Sequence, residues 1–378
     1  MAVILCACGG SFLGLASVNA TSSATSTATT APFLFVSSSD GNIAGFSSNS
    51  SSGALTLLSS SPTSAGSSAS LVGIAVLPGD NFLYAVDKNQ SLVDTFAIGS
   101  YGSLSQPSGG SVATGKGPYG IAIDPTGSFA YVTNFTAGTI SGYAIESSGL
   151  LTPLTTPTVA SGLSGPEGVA LATASGGGLF MVVAENTGGK VDSFGVNSDG
   201  SLVLASSISI GGSPRQVALY PTGSLAYVTH VTASGDGAVE AFAVGSNGTL
   251  SFFSAGSFDY GAAASPVGIA IATNDVGTLF YVANSVTNPV NSFTNTVSQF
   301  ILNSNSTLVA NGTAPAPSPG LSAPTGIVVD YTGAFVYVAS NGNGMVAQYT
   351  INSDGTLGSP RIIGTGTTGP MFLAFVAY

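Results

Sequence analysis

One stretch of this chain sets a guanidinium where it could polarise a carbonyl: Ser213-Pro214-Arg215-Gln216. Arg215 could hold a carboxylate or phosphate through a forked pair of hydrogen bonds, or stabilise a developing oxyanion. Glu167 could orient it, since both residues directly follow a proline (Pro166, Pro214) in the same repeated context. His230 is the only histidine, with the ordinary pKa of a general base, and Glu185 is a further group able to activate water. Tyr119, Gln216, Lys116, Lys88 and Lys190 complete a candidate ligand-binding set. Plainer roles exist for the same residues. Glu167 and Arg215 could form an ion pair of little net worth to stability, and His230 could be a surface or hydrogen-bonded residue.

Other chemistries lack their residues. The acidic neighbours Asp87, Glu185, Asp236 and Glu240 fit no metal-binding loop, and no zinc-ligand cluster, nucleophile elbow or coenzyme fingerprint is present. No metal or cofactor is therefore assigned. Lys and Arg together number 5 against 16 Asp and Glu, so no cationic patch large enough for nucleic acid can be built. Charged residues are only 6% of the chain, far below the roughly 25% of an ordinary soluble domain, and Ser, Thr, Asn and Gly must carry solubility.

The elements that would position these groups come from an internal repeat. Pro118-Tyr-Gly-Ile-Ala-Ile-Asp-Pro-Thr-Gly-Ser-Phe-Ala-Tyr-Val-Thr-Asn134 recurs from Leu71, Pro166, Pro214, Pro266 and Pro324. A period of roughly 50 residues suits a four-stranded propeller blade. An apolar inner strand (Gly-Ile-Ala-Ile) is followed by an alternating second strand (Phe129-Ala-Tyr-Val-Thr), with Asp124-Pro-Thr-Gly127 as a type I turn between them. The third strand ends near an aromatic (Phe96, Tyr143, Phe194, Phe242, Phe300, Tyr349) and a short outer strand follows.

Six full units leave two fragments. Residues 33–58 supply strands two to four, and Gly369–Phe375 supplies an inner strand alone. Joined, they predict a seventh blade shared by both ends of the chain, in an all-β, seven-bladed β-propeller that spans residues 32–378 and leaves no open sheet edge in the ring. Strand direction then places Lys88, Lys116, Lys190, Arg215 and His230 on one face, with Asp80, Asp124, Asp199, Asp330 and Asp354 on the other and Arg361 on an outer strand. A face positive in sign is the expectation. Residues after the leading proline (Val72, Tyr119, Glu167, Arg215, Val267, Thr325, Met371) should ring the mouth of the central channel.

The Tyr-Val-Thr-Asn element, the Gly-Pro-x-Gly-Ile-Ala inner strand and the Asp-Pro-Thr-Gly turn resemble the "YVTN"-repeat and 6-phosphogluconolactonase-like propellers over residues 32–378. That resemblance implies opening of lactones without a metal, tied to a Gly-Pro-Arg-His inner-strand start and an Asn-Glu after the second strand. Arg215 matches that pattern. Gln216 stands at the His position and Val231, after His230, at the Glu position, so two proton-transfer groups are missing.

The N-terminal Leu5-Cys6-Ala7-Cys8 resembles the end of a bacterial lipoprotein signal with Cys8 acylated, although a basic leader is lacking. Residues 1–31 then read as a signal remnant and a Ser/Thr/Ala-rich tether, and the protein as exported to the cell envelope or secreted. No stretch is apolar enough to span a bilayer as a helix. Three functions follow as expectations. The first is binding of a small anionic molecule, a carbohydrate or an envelope protein through one face. The alternatives are a lactone hydrolase with a modified site and a self-assembling surface protein.

Overall fold

The computed structural model describes residues 4–6, 32–79, 81–253, 257–262, 265–285, 295–304, 307–312 and 318–376. Cys8, the tether over residues 17–31 and Asp80 lie outside them.

Each repeat forms one antiparallel sheet, and seven sheets make the ring. The inner strands of blades 2 to 7 are Leu71–Val76, Pro118–Ile123, Pro166–Thr173, Ser213–Leu219, Pro266–Asn274 and Pro324–Val329. Blade 1 closes as expected. Pro370–Val376 pairs with Phe33–Ser38, placing Ala374 opposite Phe35 and Val376 opposite Phe33, and Asn42–Ser48 and Leu55–Leu57 follow outward. Arg361 begins the outer strand of blade 7, as anticipated. Ile4–Cys6 adds antiparallel to the inner strand of blade 6, with Cys6 opposite Ala270, a placement that the reading of residues 1–31 as leader and tether did not foresee.

The turn chemistry is as the sequence demands. Gly127 N–H donates to the Asp124 carbonyl at 2.9 Å. The Asp124 carboxylate accepts from the backbone N–H of Thr126, Ser128 and Phe129, so a buried acid is fully used in closing the turn. Asp330 repeats this with Ala334 and Phe335.

The core lies between blades. Tyrosines of the second strand reach across to the third-to-fourth strand turn of the next blade. Tyr84 donates to the Gly149 carbonyl, Tyr131 to Gly200, Tyr281 to Gly355 and Tyr337 to Gly53, each at 2.8 Å. Burial raises the pKa of all four phenols, which stay protonated donors.

The repeat glycine explains how blades approach. A Cβ on Gly73 would sit 2.5 Å from the Tyr119 carbonyl oxygen, one on Gly120 2.5 Å from that of Glu167, and one on Gly168 2.3 Å from that of Arg215. The carbonyl of the residue after each leading proline thus fills the space that a side chain would take. The same strands carry a register shift there, as between Pro118 and Ile121 and between Pro214 and Val217. Such bulges re-aim side chains at sheet rims. Here they frame the residues that face the channel mouth.

Candidate binding site at the channel mouth

A cleft of about 220 Å³ opens at the end of the channel where the inner strands begin. Five of the seven residues expected in the first ring, Tyr119, Arg215, Val267, Thr325 and Met371, line it, joined by Phe372, whereas Val72 is buried and does not. Ser285 and Asn341 add a second ring. Both immediately follow a second strand, at the position that holds Lys88, Asn186 and Val231 in other blades. The repeat spacing contained that second ring, although the sequence reading named only its Lys88 and Val231.

Most polar groups of the cleft are already engaged. The Thr325 hydroxyl donates to the Pro370 carbonyl at 3.1 Å, and the Asn341 amide lies 3.1 Å from the Met371 sulfur. Arg215 differs, because its Nε–H is buried and meets no acceptor in the protein. Such a donor costs free energy unless something fills the gap.

Glu167 stands behind the cleft, 6% exposed, and does not line it. Its carbonyl accepts the Thr133 hydroxyl at 2.7 Å, which ties blade 4 to blade 3. Burial drives the Glu167 carboxyl up to about 7, against the opposing pull of Arg215, a hydrogen bond from Tyr119 and the charge of Lys88. The Lys88 ammonium lies 5.9 Å from the centroid of the Tyr119 ring. Arg215, Glu167, Tyr119 and Lys88 therefore form one electrostatic unit contributed by four successive blades.

The other expected site residues fall elsewhere. Gln216 is buried, and its backbone N–H donates to the Thr229 hydroxyl at 3.1 Å. Lys116 and Lys190 are exposed and outside the cleft. His230 does not begin a loop. It is the last residue but one of Leu225–Val231, opposite Pro214, and is 4% exposed. His230 and Glu185 hold the same position in successive blades, so strand alternation turns His230 toward blade 4 and Glu185 toward blade 3.

That position follows a rule. In blades 3 and 6 it holds Asn134 and Asn284, whose amides donate to Ser141 and Ser298 at 2.9 and 2.8 Å. Blade 4 puts Glu185 and Asp192 there, both buried. Glu185 is pushed up to about 7, first by burial and then by hydrogen bonding to Asp192, while Ser164 N–H donates to its Oε2 at 2.6 Å. Two acids hydrogen-bonded in this way need one proton between them, where blades 3 and 6 use a neutral pair. Blade 2 also sets two buried acids, Asp87 and Asp94, at these positions. Asp192 was missed because its role depends on cross-strand register.

The described cations of this face also have company. Asp40, Asp87, Glu167, Glu185 and Asp236 sit at the same strand ends as Lys88, Lys116, Lys190 and Arg215. The expectation of a positive face is thus corrected: the acids are at least as numerous. Among the described residues no group of three or more metal-ligating side chains is assembled, and no helix is long and apolar enough to cross a membrane.

With ring and cleft in place, the family is plain. The family of lactonases with a seven-bladed β-propeller matches residues 73–263, and the chain belongs to it. Solved structures agree in fold. A proposed 6-phosphogluconolactonase of Bacteroides fragilis superposes with a TM-score of 0.73 at 18% identity, over 93% of this chain and 100% of that one. The periplasmic gluconolactonase of Pseudomonas aeruginosa gives 0.70 at 17% identity, over 92% and 99%. A Lactobacillus plantarum protein gives 0.71 at 19%, also over 92% and 99%. No curated protein matches the chain.

Proposed function

We propose that the channel mouth binds a compact carboxylate or lactone ring, such as an aldonic acid or its lactone, through Arg215. Arg215, the one charged side chain among the described residues that line the cleft, carries this reading. A volume of about 220 Å³ lies below the roughly 300–1,000 Å³ of sites for drug-sized ligands and suits a single substituted ring. Val267, Met371 and Phe372 supply apolar walls, and Tyr119, Ser285 and Asn341 supply hydroxyl and amide edges. One guanidinium suits a singly charged carboxylate better than a phosphorylated sugar.

Lactone hydrolysis is the second reading, and family membership favours it. In that version Arg215 holds the lactone carbonyl and takes up charge as the tetrahedral oxyanion forms. The difficulty is the base. Among the described residues no carboxylate or imidazole lines the cleft, Gln216 replaces the His, and Glu167 is one layer behind. Binding without rapid turnover is the better-supported outcome. Export, with lipidation at Cys8, remains part of this proposal and is supported by the Leu5-Cys6-Ala7-Cys8 element alone.

Calorimetric titration with gluconate, and pH-monitored hydrolysis of δ-gluconolactone, separate the two readings. The expected result is gluconate binding that falls roughly tenfold or more in Arg215→Ala, the scale of one lost hydrogen bond to a charged group. Lactone turnover well above the uncatalysed rate that collapses in the same variant would move the assignment to hydrolase. Equal binding by both proteins would remove Arg215 from the site.

A further inference from the structure

We propose that Glu167 gates the channel mouth by protonation, leaving the Arg215 charge to an incoming anion when neutral and competing for it when ionised. The proposal rests on the reading of the cleft as an anion site and adds its regulation.

The geometry separates the two roles. Arg215 lines the cleft, whereas Glu167 is buried behind it on the neighbouring blade, so an anion would touch the first and not the second. Their strands are held close by Gly168, where any Cβ would press on the Arg215 carbonyl, and Thr133 fixes the Glu167 carbonyl. The Arg215 Nε–H has no acceptor, Glu167 included, while the side chain still lines the cleft. Only the charge of Glu167 then changes what an anion feels.

Several other groups surround Glu167. Tyr119 approaches from the inner strand of blade 3 and Lys88 from the loop of blade 2. On its own blade, Glu185 stands opposite Pro166 with Lys190 and Asp192 beside it. His230 stands opposite Pro214 in blade 5. Tyr119 and Lys88 bear on Glu167 through a hydrogen bond and a charge, and Glu185, pushed up to about 7 by burial, is a second acid of this region. Glu167 feels the charge of Arg215 directly. Its carboxyl titrates at about 7.

An anion with an ordinary carboxylate pKa near 4, such as gluconate, stays ionised throughout. Its affinity should therefore fall as pH rises from 5.5 to 8.5, on the order of tenfold for one added charge near Arg215 in a partly buried setting. Glu167→Gln keeps the shape and the neutral state, so the part of the fall that belongs to Glu167 should vanish in it. Background drift from Glu185 and the net charge persists in that variant and is subtracted by it.

A ligand-free readout accompanies the titration. Arg215 and Arg361 are the only arginines, and Arg361 is exposed on an outer strand, so the buried Arg215 Nε–H gives a distinguishable proton–nitrogen resonance. This resonance should move with a midpoint near pH 7 in wild type and stay still in Glu167→Gln. Tyr119→Phe, which removes the phenol hydroxyl beside Glu167, should shift that midpoint upward if the network is as described. A static Arg215 resonance in wild type overturns the gate whether or not gluconate binds. A moving resonance with equal gluconate affinity at both pH values also overturns it, and leaves the cleft assignment intact. A moving resonance with no gluconate binding at either pH removes the anion site, and the gate as its regulator falls with it.

Discussion

Tyr131 and Tyr227 occupy one position of the repeat in blades 3 and 5, yet their hydroxyls fare differently. Tyr131 donates to the Gly200 carbonyl, while the Tyr227 hydroxyl is buried and meets no partner. In sequence, the segment after the third strand of blade 6 reads Asn303-Ser-Asn-Ser-Thr307, without the glycine found at Gly149, Gly200 and Gly355. Tyr131→Phe should therefore lower unfolding free energy by about 1 kcal/mol, and Tyr227→Phe should be neutral or stabilising, measured by denaturant titration at constant m-value. That contrast was readable in the sequence once the turn glycines were aligned. The site was readable in the same way only in part. Proline spacing placed Tyr119, Arg215, Val267, Thr325 and Met371 at the mouth, because each is fixed by its own strand. It could not show that Glu167 turns inward, because that depends on the flanks of two other blades.

At the scale of the element, the inner strand does two jobs, building the core on both faces and presenting one residue to the channel. Gly168 serves both. Gly168→Ala places a methyl group 2.3 Å from the Arg215 carbonyl, and should destabilise by roughly 1–3 kcal/mol while displacing Arg215 and weakening gluconate binding. Gly195→Ala, in the third strand of the same blade with its nearest neighbour at 4.0 Å, should be tolerated and leave binding unchanged. Thermal melts and titrations of the pair test the claim that close approach, and not strand flexibility, fixes the glycine. The apolar alternation and the Asp-Pro-Thr-Gly turn made the strands legible, being local chemistry. The hydrogen-bonded Glu185–Asp192 pair was not legible, since the two acids become neighbours only through cross-strand register.

For the whole molecule, ring closure and buried acids set the behaviour. Removing residues 370–378 deletes the inner strand of blade 1, with buried Phe372, Leu373, Ala374 and Val376, and exposes the edge of Phe33–Ser38. Loss of the sharp unfolding transition is expected, well beyond what nine residues of packing would cost, and calorimetry would show it. The acids impose a pH dependence of a definite sign. Glu167 and Glu185 rise from an ordinary 4.5 to about 7 in the folded protein, so the folded state holds protons that the unfolded chain releases. Their contribution is fully present below about pH 4.5 and is lost as pH climbs through 7. Melting temperature should thus fall between pH 5 and pH 8.5, and Glu185→Gln should flatten that fall. An unchanged slope in the variant would mean that the pair does not hold a proton. The seven-blade ring and its closure were legible from the repeat and its two fragments. The mixed charge of the channel face was not, because acids that end strands are spread through the repeat and gather only in three dimensions.

The most direct test of the central claim is a crystal structure of the protein with gluconate or δ-gluconolactone. Ligand density at the channel mouth, with a carboxylate or carbonyl oxygen within hydrogen-bond distance of the Arg215 guanidinium and the ring against Val267, Met371 and Phe372, is the predicted result. Density bound elsewhere with the mouth unchanged, from crystals saturated with ligand, would contradict the assignment of Arg215 as the centre of the site.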